Sequence, residues 1–137
     1  MGIILDSSVL VAFERRRFDL ERLLTAHPSP AIAAITAAEL LIGVERADTL
    51  ERRARRRSFV ENLFALMPII PFDLTQARLY AERFAELASR GIVIGDRDLQ
   101  IAVTALNLNF ELATLNVGEF QRVTGLRLVD VSSFVVT

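Results

Sequence analysis

The feature that most constrains this chain is the alternation of short apolar runs with longer stretches of helical periodicity. The strand candidates are Ile3 to Leu5, Ala31 to Ile35, Ile69 with Ile70, Leu112 to Leu115, and Leu126 to Val131. Helices fill the intervals. Ser7 and Ser8 favour an N-cap before Val9, Leu10, Ala12 and Phe13. Phe18 to Ala26 reads as a second helix, stopped by Pro28. Thr36 caps a third, with Glu39 three residues on in the form of a capping box. Thr49 to Leu66 follows, with Leu50, Val60, Leu63, Phe64 and Met67 on its apolar side. Asp73 caps a helix in which Ala77, Tyr80, Ala81, Phe84, Leu87 and Ala88 recur at helical spacing, and Gly91 ends it. Asp98 to Asn107 is the last. The pattern predicts an α/β fold, a central, mostly parallel five-stranded sheet with helices on both faces.

Length and composition narrow the function. The 137 residues fit one domain, 1–137, with a real core, and 52% hydrophobic against 24% charged residues is a globular balance. With no cysteine, disulfides, thiolate zinc sites and a cysteine nucleophile are all excluded. All 16 basic residues are arginine, so a P-loop, which needs a lysine on the phosphates, is excluded too. The single His27 lies in a turn-like His-Pro-Ser-Pro stretch and reads as an ordinary loop residue. The longest apolar stretch, Leu63 to Phe72, is broken by Pro68 and Pro71 and is too short to span a bilayer. Asp6 and Glu14 interrupt the N-terminal apolar run, which does not read as a signal peptide. A cytoplasmic protein without membrane contact is expected.

In parallel sheets, sites form beyond the carboxyl ends of the strands. Asp6, Thr36, Glu39 and Asn116 all fall just after strand candidates, so they can converge although far apart in sequence. Asp6, Glu39 and Asp98 each sit near a helix start. Taken singly, each reads first as a helix-capping acid that complements the helix dipole. Taken together, they ask for more: two carboxylates about 5 Å apart repel by roughly 3 kcal/mol at an effective dielectric of 20. Protons, arginines or a metal must offset that. An all-oxygen set suits Mg²⁺ or Mn²⁺.

Four segments carry a family resemblance. Ile4-Leu5-Asp6-Ser7-Ser8-Val9 resembles the opening strand and helix of PIN-domain nucleases. Thr36-Ala37-Ala38-Glu39-Leu40 is similar to their second motif, and Ile94-Gly95-Asp96-Arg97-Asp98-Leu99-Gln100-Ile101-Ala102 to the third. Thr114-Leu115-Asn116-Val117-Gly118-Glu119-Phe120 looks like the fourth. Their order and spread over nearly the whole chain resemble the VapC-type toxins of VapBC toxin–antitoxin pairs.

The resemblance implies a PIN-like three-layer fold and a metal-dependent endoribonuclease. It implies metal ligation by Asp6 and Asp98, with Glu39 ligating directly or through water. Asn116 stands where PIN domains often carry an aspartate, so Asp96 or Glu119 could supply the missing acid. Asp96 also reads as a helix cap, and Glu119 as a solvated loop residue. Ser8, Thr36 and Asn116 would orient ligands or phosphate, and Arg97 would contact substrate phosphate. In-line attack of water would leave a 5′-phosphate on the product.

Partners follow on the same terms. Arg52, Arg53, Arg55, Arg56 and Arg57 crowd one helical stretch, read as a solvated face or as a patch for RNA or antitoxin. Arg15 to Arg17 could line the entrance to the site. The mean hydropathy of +0.37 points to a covered apolar surface. A homodimer and a VapB-like antitoxin across the active-site groove are implied. Leu40, Leu41 and Val44 read either as part of that groove or as core. Two other readings stay open: a housekeeping RNA-processing or DNA-regulatory PIN protein, and a non-catalytic module on the same scaffold.

Overall fold

A computed structural model describes residues 1–137. Four strands, β1 (Ile3–Leu5), β2 (Pro30–Ala33), β3 (Ile69–Ile70) and β4 (Glu111–Ala113), form a wholly parallel sheet in the order β3-β2-β1-β4. The helices are α1 (Ser7–Glu14), α2 (Leu20–Ala26), α3 (Ala34–Glu45), α4 (Leu50–Leu66), α5 (Leu74–Ser89), α6 (Asp96–Leu108) and α7 (Val117–Phe120). A 3₁₀ turn, Ser132–Phe134, closes the chain.

Apart from Glu111, which opens β4, the strands are apolar, because both sheet faces are covered. Successive residues of β1 point to opposite sides: Ile3 and Leu5 join one core cluster with α1 to α4, and Ile4 joins the other with α5 to α7. Ile32 and Ala113 fall on the first side, Ala31, Ala33 and Leu112 on the second. This alternation, with a helix on each side, is what a parallel sheet requires. The strand order turns at β1, which sits between β2 and β4, so the crevice beyond its carboxyl end opens beside Asp6.

Several expectations are corrected. The fifth strand is not formed. Leu128 makes one parallel bridge to Leu112, and the segment then leaves the sheet. The reason is local: the Asp130 carboxylate accepts bonds from the Ser132 amide and hydroxyl, turning the chain into the 3₁₀ segment. The same two bonds hold the Asp130 carboxyl below the usual carboxylate range. The second helix starts at Leu20, because Phe18 forms an antiparallel bridge with Val135 and Asp19 caps the helix through the Arg22 amide.

β2 ends and α3 begins earlier than expected, so Thr36 lies inside the first turn and Ala33 is the N-cap residue; the capping box is absent. Likewise α6 starts at Asp96 behind Gly95, and neither Asp96 nor Asp98 caps it. Leu50 (82% exposed) and Phe84 (55% exposed) face outward rather than into the core. Thr49 and Asp73 cap α4 and α5 through the amides of Arg52 and Gln76, as the sequence reads. Gly91, at φ 70°, follows α5 as expected.

Candidate active site

Asp6 leaves β1 in an extended conformation at the head of α1, yet its side chain makes no cap bond. It is 4% exposed and accepts two short bonds, both on Oδ2: from Ser8 Oγ at 2.7 Å and from Thr114 Oγ1 at 2.7 Å. Oδ1 is left free of them. The hydroxyls are fixed in turn, because the Leu115 amide donates to Ser8 Oγ at 3.0 Å and the Asn116 amide to Thr114 Oγ1 at 2.9 Å. The chain after β4 is thereby clamped to the chain after β1.

Glu39 projects from α3, well past its first turn. Its Oε1 is buried with no hydrogen-bond partner, and so is the hydroxyl of Thr36 one turn earlier. Oε2 lies 3.7 Å from an Arg97 guanidinium nitrogen, an ion pair too long to be a hydrogen bond. Burial, then the charge of Asp6, pushes the Glu39 carboxyl above the usual range; Arg97 partly offsets this and Asp98 adds to it. Asp98 stands in the first turn of α6. Burial, then Asp6 and Glu119, raises its carboxyl as well. Glu39 therefore feels the charge of Asp6 and Asp98, and Asp98 that of Asp6, which brings the three into one region. None of the three caps a helix through its side chain.

The neighbouring candidates divide by how they are engaged. Asp96 accepts the Tyr80 hydroxyl at 2.5 Å and the Gln100 amide nitrogen at 3.2 Å, which ties the start of α6 to α5. Burial and that bond push the Tyr80 phenol up to about 12, so it stays a donor. Glu119 pairs with Arg122 at 2.8 Å and still raises Asp98. Asn116 is exposed at the N-cap of α7, with its side chain in no cap bond. His27 closes α2 through its backbone, away from the cluster. Leu40 and Val44 are core residues, and Leu41 packs against the same cluster. Only Leu40 also lines a small cavity beside Glu39.

Residues 3–126 match the PIN domain family. The chain is 37% identical over 134 residues to the ribonuclease VapC1 of Rickettsia felis, covering 97% of this chain and 98% of that protein. The chain belongs to the PIN-domain family, among the VapC ribonucleases. A solved relative is VapBC2 of Rickettsia felis bound to a DNA fragment from its promoter, with TM-score 0.83, 29% identity and coverage of 94% of this chain and 98% of that one. Another is VapBC-5 of Mycobacterium tuberculosis, from the VapBC family of toxin–antitoxin systems, with TM-score 0.75, 30% identity and coverage of 94% and 100%.

PIN-domain nucleases generally depend on a divalent metal, and the donor chemistry of this PIN domain fits one. The cluster offers only oxygen, two of its carboxyls are raised by burial and by the charge of Asp6, and Glu39 Oε1 is an orphaned buried acceptor. No three His, Asp or Glu side chains converge closely enough to form a closed ligand set. Mg²⁺ keeps several waters and is commonly held through one or two carboxylates, so it does not require such a set. Thr114 stands directly after a strand in the fourth motif, a signal visible in the sequence, but only the fold shows that its hydroxyl serves Asp6.

Proposed function

We infer that this PIN domain is an endoribonuclease that hydrolyses RNA phosphodiester bonds with Mg²⁺ or Mn²⁺ at the Asp6, Glu39 and Asp98 cluster, as the toxin of a toxin–antitoxin pair. The observation that carries this reading is the clamp on Asp6: one carboxylate oxygen is held by two hydroxyls and the other is left free, in a residue whose charge helps raise the Glu39 and Asp98 carboxyls. The identity to a named ribonuclease supplies the substrate class.

Asp6 and Asp98 would hold the cation, with Glu39 ligating directly or through water. When bound, the cation polarises the scissile phosphate and lowers the pKa of water. Ser8 and Thr114 keep the Asp6 carboxylate oriented by donating to Oδ2. Glu39 Oε1, buried and unpartnered, is placed to accept a proton from water. Arg97, held only by its long contact with Glu39, can turn to a substrate phosphate. Asn116 can hydrogen-bond a phosphate oxygen without adding charge. Thr36 supplies a buried hydroxyl beside Glu39. Asp96 fixes the start of α6 rather than completing the site, and Glu119 is the nearer of the two to a fourth acid.

A VapB-like antitoxin is the expected partner, by likeness to the VapBC complexes; a homodimer is proposed from the exposed apolar residues Phe84 and Val93. No helix is long and apolar enough to cross a membrane. The test is RNA cleavage by purified protein with Mg²⁺ or Mn²⁺, alongside growth on expression. Cleavage that stops in EDTA, with growth arrest relieved by Asp6→Asn, is expected. An RNA left intact by wild-type protein with either metal sinks the nuclease reading, and cleavage without growth arrest sinks the toxin role.

A further inference from the structure

A groove of about 920 Å³ lies between the end of α1, the turn after α3 and the first half of α4. Arg15, Arg16, Arg46, Arg52, Arg55 and Arg56 line it. The only acids there are Glu14 and Asp48. They engage Arg56 at 3.5 Å and Arg52 at 2.8 Å. Arg15, Arg16, Arg46 and Arg55 are exposed and enter no ion pair, in a chain whose formal charge is −1. Positive charge is therefore concentrated here against the balance of the molecule.

Two further observations tie the groove to the site. Glu14, Arg15, Arg56 and Phe59 also line a narrow cavity of about 110 Å³ that reaches Glu39, so the groove leads towards the carboxylates. Arg16 sits at φ 60°, the left-handed conformation that favours glycine. It closes α1 with the Arg16 amide on the Phe13 carbonyl and the Arg17 amide on the Ala12 carbonyl, the bonding of a glycine-type helix end. Glycine would relieve that backbone, yet an exposed arginine occupies it, which sets a guanidinium at the rim.

We propose that this groove is a subsite for the ribose-phosphate backbone of single-stranded RNA on its way to the Asp6, Glu39 and Asp98 cluster, an inference that rests on the ribonuclease reading. Unpaired guanidiniums match a chain of phosphates, one charge per nucleotide. The lining is polar, with Phe59 its one aromatic residue, which suits stacking on a base better than a broad apolar protein contact.

The test uses the full chain, a short unstructured fluorescein-labelled RNA and EDTA, with binding read by anisotropy across a salt series. Arg16→Gly with Arg46→Gln and Arg55→Gln should weaken binding at least about tenfold and flatten the salt slope by about 0.7 per arginine removed. Arg78→Gln, on α5, should leave both unchanged. Arg16→Gly alone should melt no lower than wild type, which separates loss of contact from loss of fold. In Mg²⁺ the triple variant should raise KM and keep kcat. Unchanged affinity and slope in the triple variant, with wild-type protein still cleaving RNA, overturns the subsite and leaves the ribonuclease reading standing. Wild-type protein that neither binds nor cleaves RNA overturns both. Binding of a poly-glutamate peptide as tight as that of RNA, through the same arginines, would give the groove to an acidic protein segment and overturn the proposal.

Discussion

Asp6 is held by two hydroxyls, whereas Glu39 Oε1 has no partner, and the two residues respond differently to substitution. Glu39 and Asp98 are raised by burial and by Asp6, so in cation-free protein their ionised forms are strained. A folded carboxyl pKa above the unfolded one means that the folded state binds more protons between the two values. These groups therefore favour folding most at acidic pH. Their contribution falls as pH rises through the ordinary carboxylate range to the raised folded values, and stays at its lower level at neutral pH. Glu39→Gln removes one of the repelling charges. In EDTA at neutral pH it should raise Tm by about 3–5 °C, corresponding to about 1 kcal/mol after solvent screening. The gain should shrink at acidic pH in melting curves. A variant that melts lower at neutral pH would contradict the repulsion. Thr114→Val keeps the shape and removes one donor to Asp6. Cleavage is expected to fall about 10- to 100-fold, measured as kcat/KM on a fixed RNA.

At the scale of elements, the starts of α4 and α5, each with a polar cap, were legible, and those of α3 and α6, which have no side-chain cap, were not. Asp73 and Thr49 precede α5 and α4 with an oxygen that reaches the third amide, so residue type and position agree. Asp73→Ala should cost about 1 kcal/mol, lowering Tm by about 3–5 °C, with cleavage unchanged. A loss of cleavage would mean that α5 supports the site more closely than its cap suggests. At the ends of β2 and before α6, Ala33 and Gly95 occupy the N-cap with no side-chain bond. There Thr36 and Asp98 looked like cap residues because of their types, but the helix had already begun. The fifth strand was misread for a comparable reason. Leu126 to Val131 carries the right apolar residues, and the Asp130 turn to Ser132 ends the pairing after one bridge.

Across the whole molecule, a parallel sheet covered on both faces and the place of Asp6 at the end of its first strand followed from apolar alternation, whereas the strand order did not. What could not be read is which side chains touch: the Thr114 clamp, the orphaned Glu39 oxygen and the arginine groove depend on residues distant in sequence. The outer face of α5 was legible only in part. Its helical spacing predicts Phe84 among the apolar residues, but the fold leaves Phe84 55% and the nearby Val93 85% exposed. Phe84 stacks on Tyr80, which meets Phe72 edge-on. This face also borders an apolar cavity of about 220 Å³ formed with Ile92, Val93 and Ile94. The homodimer we propose would cover it. Light scattering should give a dimer mass for wild-type protein and a monomer mass for Phe84→Glu with Val93→Glu. A wild-type monomer at micromolar concentration would contradict that assembly.

We propose that Asp6, Glu39 and Asp98 share a divalent cation, with Asp98 and not Asp96 in the ligand position. Calorimetric titration of Mn²⁺ into cation-free protein tests it most directly, because it needs neither RNA nor turnover. Wild-type protein and Asp96→Asn should both bind Mn²⁺, while Asp6→Asn and Asp98→Asn should lose at least about tenfold in affinity. Equal binding by wild type, Asp6→Asn and Asp98→Asn would contradict the account.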